Sequence, residues 1–128
     1  MSNTLGNPTL KSNAARENEI LSYNTTLTAS PSIANPLLRI RKSTTTLVDF
    51  ALNASTPFTG GSVDGSATFN FVSPSAVAAA GVADVPDNYQ VIGRDNAVHL
   101  SGPITATDGI SVGQTVDAAT ITATEPAS

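Results

Sequence analysis

The stretch Asp87-Asn88-Tyr89-Gln90-Val91-Ile92-Gly93-Arg94-Asp95-Asn96-Ala97-Val98-His99-Leu100-Ser101-Gly102-Pro103-Ile104 decides the fold, because it reads as a β-hairpin. Asp95 and Asn96 tolerate the positive φ of a two-residue type I′ turn, and strand-forming runs flank them on both sides. Counting outward pairs Ile92 with His99, Val91 with Leu100 and Gln90 with Ser101. Tyr89, Val91, Val98 and Leu100 then share one face with Gly93. Gln90, Arg94, His99 and Ser101 share the other with Ile92, as a half-buried antiparallel pair requires. A lone hairpin is marginal in water, so the rest of the chain must supply a second layer over the apolar face.

The 128 residues suit one domain whose core needs no staples. With no cysteine, disulfides and thiolate metal sites are excluded. No apolar run reaches the length of a membrane span and the N-terminus lacks a signal-peptide layout, so a soluble chain not exported by that route is expected. Charged residues are only 12% of the chain. Its polarity comes from Thr, Ser and Asn, and abundant Thr and Val favour strands.

The net charge of −4 is unevenly placed. Lys11, Arg16, Arg39, Arg41 and Lys42 lie in the first 42 residues beside only Glu17 and Glu19, which leaves that part at +3. The remainder sets Arg94 against eight acidic residues and carries −7. A basic front and an acidic body attract each other within one molecule or between copies. An acidic body without a basic stripe or interleaved aromatics argues against nucleic-acid binding.

Residues 1–35 differ in character from the remainder of the chain. Ser12 or Asn13 can cap a short helix through Ser22, and two or three turns must dock on something, whether the same domain or a partner. Residues 24–35 read as a connector rich in Thr, Ser and Pro. Residues 1–35 are therefore expected to form an N-terminal arm and residues 36–128 a β domain. Leu38 and Ile40 alternate with Arg39 and Arg41 in one strand. Thr45 to Leu52 gives the next, with Val48, Phe50 and Leu52 on one face. Residues 66–72 place Phe69 and Phe71 inward and are expected to be central. Residues 73–84 read equally as a helix or as an extended Ala-rich crossing, and 116–124 as a closing strand with a bulge near Ala118 and Ala119. The expected fold is all-β: an immunoglobulin-like sandwich or small barrel of six to seven antiparallel strands, with an extended arm carrying a short helix.

Reactive chemistry is sparse. His99 is the single histidine, which leaves no His cluster for a metal, and its register sets it on the outer face as a solvent-facing or interface residue. The aspartates sit mostly beside turn residues, no Asp-x-Asp-x-Asp calcium loop exists, and Gly60-Gly61 lacks the context of a phosphate loop. No catalytic residue, cofactor or metal is expected.

Leu38-Arg39-Ile40, Phe58 followed by Gly60-Gly61 and Ala67, Tyr89-Gln90-Val91-Ile92 before an Asp turn and Val98, Ile110 to Gly113 and a Thr-rich closing strand together resemble small virion proteins of tailed bacteriophages. The Asn13-Ala14-Ala15-Arg16 start is similar to theirs as well. The sequence departs from them at Asp95-Asn96, where an Asp-Gly turn is usual, and in an inserted segment at Asp84 to Asp87. The resemblance implies a non-enzymatic capsid decoration (cement) protein, made in the bacterial cytoplasm and present in the virion. Its partners would be the major capsid protein or other virion proteins, and further copies of itself, with no nucleic acid and no membrane. Lys11, Arg16, Ile20, Leu21, Arg39, Arg41, Ile92 and His99 are the interaction residues this expects. A tail, neck or fibre-anchor component is the neighbouring alternative. An immunoglobulin-like module for glycans or cell surfaces is the alternative from another class, and the lack of Trp with only two Tyr weighs against it.

Overall fold

The computed structural model describes residues 10–60, 67–73, 75–77, 83–106, 108–117 and 122–123. They form a helix, α1 (Asn13–Thr28), and nine strands: β1 (Leu37–Lys42), β2 (Thr45–Ala51), β3 (Phe58–Thr59), β4 (Thr68–Phe69), β5 (Ser75–Val77), β6 (Asn88–Ile92), β7 (Val98–Thr105), β8 (Thr115–Asp117) and β9 (Thr122–Ala123). An antiparallel sheet runs in the order β2-β1-β6-β7-β9, accompanied by the pairs β3-β4 and β5-β8. The architecture is mostly β and antiparallel, and it does not close into a barrel.

The hairpin β6–β7 keeps the expected pairs Gln90–Ser101 and Val91–Leu100, but Ile92 then pairs with Val98 and His99 is left over as a bulge. The turn explains why. The Asn96 N–H donates to the Gly93 carbonyl and the Gly93 N–H to the Ala97 carbonyl, each at 2.9 Å. Within this turn the positive φ falls on Asn96 alone, at 63°. The Asp95 carboxylate accepts the Ala97 N–H at 3.1 Å. That local bond holds Asp95 in ordinary backbone geometry, so a three-residue loop ending in a left-handed Asn replaces the type I′ turn. The bulge also turns Val98 to the outer face opposite Ile92, where strand alternation had placed it on the inner one. Ile92 is 2% exposed while Val98 is 49% exposed. One inserted residue is enough, since alternation has a period of two.

The rest of the core follows the alternation. Leu38, Ile40, Val48, Phe50, Tyr89 and Val91 share the inner face and are buried together. A second bulge, between Ile40 and Arg41, lets Leu47 turn inward beside Val48. Burying each such aliphatic side chain stabilises the fold by roughly 1.5–3 kcal/mol. Phe69 and Phe71 are not in the middle of the large sheet, contrary to expectation. They form a seam, Phe50 to Phe71 to Phe69 to Phe58, with ring centroids 5.5, 5.8 and 4.9 Å apart. The Leu52–Phe71 bridge fastens this seam to the end of β2. The chain leaves the large sheet here because Asn53 to Pro57 turns it: the Asn53 side chain accepts the N–H groups of Ser55 and Thr56, and Pro57 is buried.

The ambiguous segment 73–84 is extended at Ser75–Val77, which pairs with β8, while residues 78–82 lie outside the described residues. The single closing strand is instead two, β8 against β5 and β9 against β7. The bulge expected at Ala118 and Ala119 lies outside the described residues.

The helix exceeds its expected length. Ser12 caps it, its hydroxyl accepting the Ala15 N–H at 3.1 Å, and it continues six residues past Ser22 to Thr28. Thr-rich sequence disfavours that extension, but tertiary contact overrides it. Leu27 is fully buried in the core, with Ile20, Leu21 and Tyr23 packed against the same cluster. Residues 13–28 thus lie against the β body rather than projecting from it.

Candidate interaction surface

The cross-strand register arranges the outer face of the large sheet into rows. One row runs Asp49, Arg39, Gln90, Ser101; a second, toward the hairpin turn, runs Ala51, Leu37, Ile92, Val98; a third, on the other side, runs Thr46, Arg41, Asn88, Pro103. A polar row therefore separates an apolar row from a mixed one.

In the polar row the Arg39 guanidinium forks onto Asp49, with Nε donating to Oδ1 at 2.9 Å and Nη2 to Oδ2 at 3.0 Å. This bond holds the Arg39 pKa above its ordinary value. The side chains remain 30% and 33% exposed, so the pair orders the surface more than it stabilises the fold. Beside the third row, Asp87 ties the β1–β2 turn to the start of β6. Its carboxylate accepts the Ser43 N–H at 3.0 Å and the Asn88 side-chain amide at 2.6 Å. These bonds, led by Asn88 and followed by Ser43, with Lys42 contributing charge, hold the Asp87 carboxyl below the usual carboxylate range.

At the hairpin tip His99 Nε2 lies 3.0 and 2.9 Å from the two Asp95 oxygens. The Ala97 N–H first, and His99 next, hold the Asp95 carboxyl below its ordinary value. Gly93 gives this pair its room: a Cβ there would meet Asp95 Oδ1 at 2.7 Å and His99 Cδ2 at 2.9 Å and displace them. An aspartate beside a histidine can move a proton, but the pair is engaged with the turn backbone, and its geometry is that of a loop clasp.

The eight residues singled out from sequence are not one cluster. Arg39, Arg41 and Ile92 share the sheet's outer face, although Ile92 is buried there. His99 is at the tip, paired with Asp95 rather than opposite Ile92. Lys11, just before α1, bridges to Glu19 at 3.0 Å, and Arg16 on α1 donates to the Asn13 side chain at 2.6 Å. Ile20 and Leu21 pack on this chain's own core.

Sequence reasoning passed over Asn24. Its amide donates to the Phe58 carbonyl at 2.9 Å and accepts the Phe58 N–H at 2.8 Å. Because the Asn70 N–H already bonds the Pro57 carbonyl, the Phe58 groups point away from β4, and Asn24 takes the place of an absent strand. The spacing Ile20, Tyr23, Leu27 was the available signal, at helical intervals that run through the supposed connector. Among the described residues no group of three His, Asp or Glu side chains is placed to hold a metal ion, and no helix is long and apolar enough to cross a membrane. Comparison with protein-family models, with curated proteins and with solved structures finds no match for this chain.

Proposed function

We propose that this chain is a non-enzymatic virion structural protein, a capsid decoration protein held against the phage shell through the outer face of its large sheet. The observation that carries the reading is the row pattern on that face, in which Arg39 and Asp49 are fixed by their fork, Arg41 stands one row away, and an apolar row lies alongside. Such a face offers directional charge with a small apolar area beside it, the exposed Val98 and the part-exposed Leu37 and Ala51, which suits contact with another folded protein. The resemblance of short motifs in the sequence to those of small phage virion proteins is a further ground for this reading. In its finer form the fold is an immunoglobulin-like sandwich, the five-stranded sheet being one layer and the pairs β3-β4 and β5-β8 the other.

The test is co-sedimentation of the purified chain with phage heads that lack it. Saturable binding is expected, and reversing charge by Arg39→Glu with Arg41→Glu should weaken it at least about tenfold, since close interfacial charge pairs couple by more than about 1.4 kcal/mol. Binding to isolated tails alone would move the protein to a tail or neck role. Binding to neither, with retention on a glycan array, would overturn the reading in favour of a carbohydrate module.

A further inference from the structure

We propose that α1 is an exchangeable element: released at Ser30–Pro31, it seats in the groove of a second copy as it does in its own. The exchange involves copies of this chain only, and stands or falls apart from the virion reading.

The groove is specific. It receives Leu27 into the core, it presents both backbone groups of Phe58 to Asn24, and the Arg94 N–H bonds the Leu27 carbonyl at 2.7 Å. Beside it, Gly60 leaves room for Glu17 and Leu21: a Cβ at residue 60 would fall against the Glu17 carboxylate and lie 3.0 Å from Leu21 Cδ1. Without the helix the groove is an apolar opening edged by unpaired backbone. Nothing of stated shape fits it better than the same helix from another copy, which would make the identical bonds.

The hinge supplies the reason to exchange. Beyond the helix, Ser32 and Ile33 are bonded to Arg94, Asn35 donates to the Leu52 carbonyl, and Pro36 accepts the Leu52 N–H. Residues 29–31 are left as the turning segment, and within it Ser30 is held at φ 48° without being glycine. A short connection in a left-handed conformation is strained when closed and relaxed when opened, and such hinges favour swapping. The closed and exchanged forms bury the same groove contacts, so the hinge and the concentration set the balance. Three extended residues reach only about 10 Å, which requires the two hinges to lie side by side in the exchanged dimer.

The chain has no cysteine, so two can be placed at will. Glu17→Cys on a tagged full-length chain and Gly60→Cys on an untagged one that also carries Glu17→Ala, which relieves the crowding between the new Cβ and residue 17, are mixed, concentrated and oxidised. The expected result is a mixed disulfide dimer well in excess of the like-with-like dimers in either chain alone. A dimer population that rises with concentration on size-exclusion light scattering should accompany it. Ser30→Gly, which accepts the closed hinge without strain, should lower that population roughly fivefold. The inference is overturned if the mixture gives no mixed dimer while the double variant, Glu17→Cys with Gly60→Cys, closes its disulfide within monomers.

Discussion

Replacing Asn24 by Ala tests whether a single side chain fastens the helix to the sheet. The Asn24 amide is the partner of both the N–H and the C=O of Phe58, a residue 2% exposed. Removing it leaves two largely buried backbone groups without a bond, and each such loss costs about 1–3 kcal/mol. Asn24 itself is only half-buried, so water can recover part of that loss, and the total should settle near roughly 2–3 kcal/mol. Against the roughly 5–15 kcal/mol that holds most domains together, this is a large share. Asn24→Asp keeps an acceptor for the Phe58 N–H and loses the donor to its carbonyl, so it should fall between wild type and Asn24→Ala at neutral pH. Urea unfolding followed by far-ultraviolet circular dichroism gives the free energies. Hydrogen exchange gives the local readout, since protection of the Phe58 amide should collapse in Asn24→Ala. If that variant unfolds within about 0.5 kcal/mol of wild type and the Phe58 amide stays protected, the Asn24 amide is not what fastens the helix.

Gly102 lies opposite Tyr89 in the β6–β7 ladder, and a Cβ there would meet the ring at 2.9 Å. Gly102→Ala should therefore destabilise by about 1–3 kcal/mol as the buried ring is displaced, measured by the same denaturation. A double-mutant cycle on Arg39 and Asp49, both to Ala, should give a coupling of no more than about 1 kcal/mol, because the fork is a third exposed and screened; salt should reduce it further. Asp95 has a folded-state pKa below its unfolded value, which is near about 3.9 in an unstructured chain. Its contribution to stability is thus present above that value and is lost as the pH falls through the lower, folded one. The gap in urea midpoint between wild type and Asp95→Asn should accordingly be present at about pH 5 and narrow as the pH falls below about 4.

Where local pattern and tertiary contact agree, the residues announced their places. Leu38, Ile40, Val48, Phe50, Tyr89 and Val91 went to the core because strand alternation permits one choice once a face is buried. The same rule failed at Val98 and Leu47, each beside a bulge. Bulges arise from turn hydrogen bonds, such as that between Asp95 and the Ala97 N–H, whose competition with a type I′ turn is settled by fractions of a kcal/mol that residue type does not reveal. The interaction residues divided in the same way. Arg39 and Arg41 share the sheet face that their alternation implies, while His99 was turned to Asp95 by the bulge, and Ile20 and Leu21 were drawn onto the chain's own core.

By itself the sequence determined that the chain builds antiparallel strands around an alternating apolar face, starts a helix capped by Ser12 or Asn13 and breaks near its Gly and Pro residues, because these depend on neighbours a few positions away. Only the tertiary structure decided that the helix runs on to Thr28 and lies on the sheet, and that the Phe58 edge is closed by Asn24 rather than by a strand. It also decided which aromatic rings form the seam between the sheets. Those outcomes join residues far apart in the chain, and their free energy exists only after folding has brought the distant partners together.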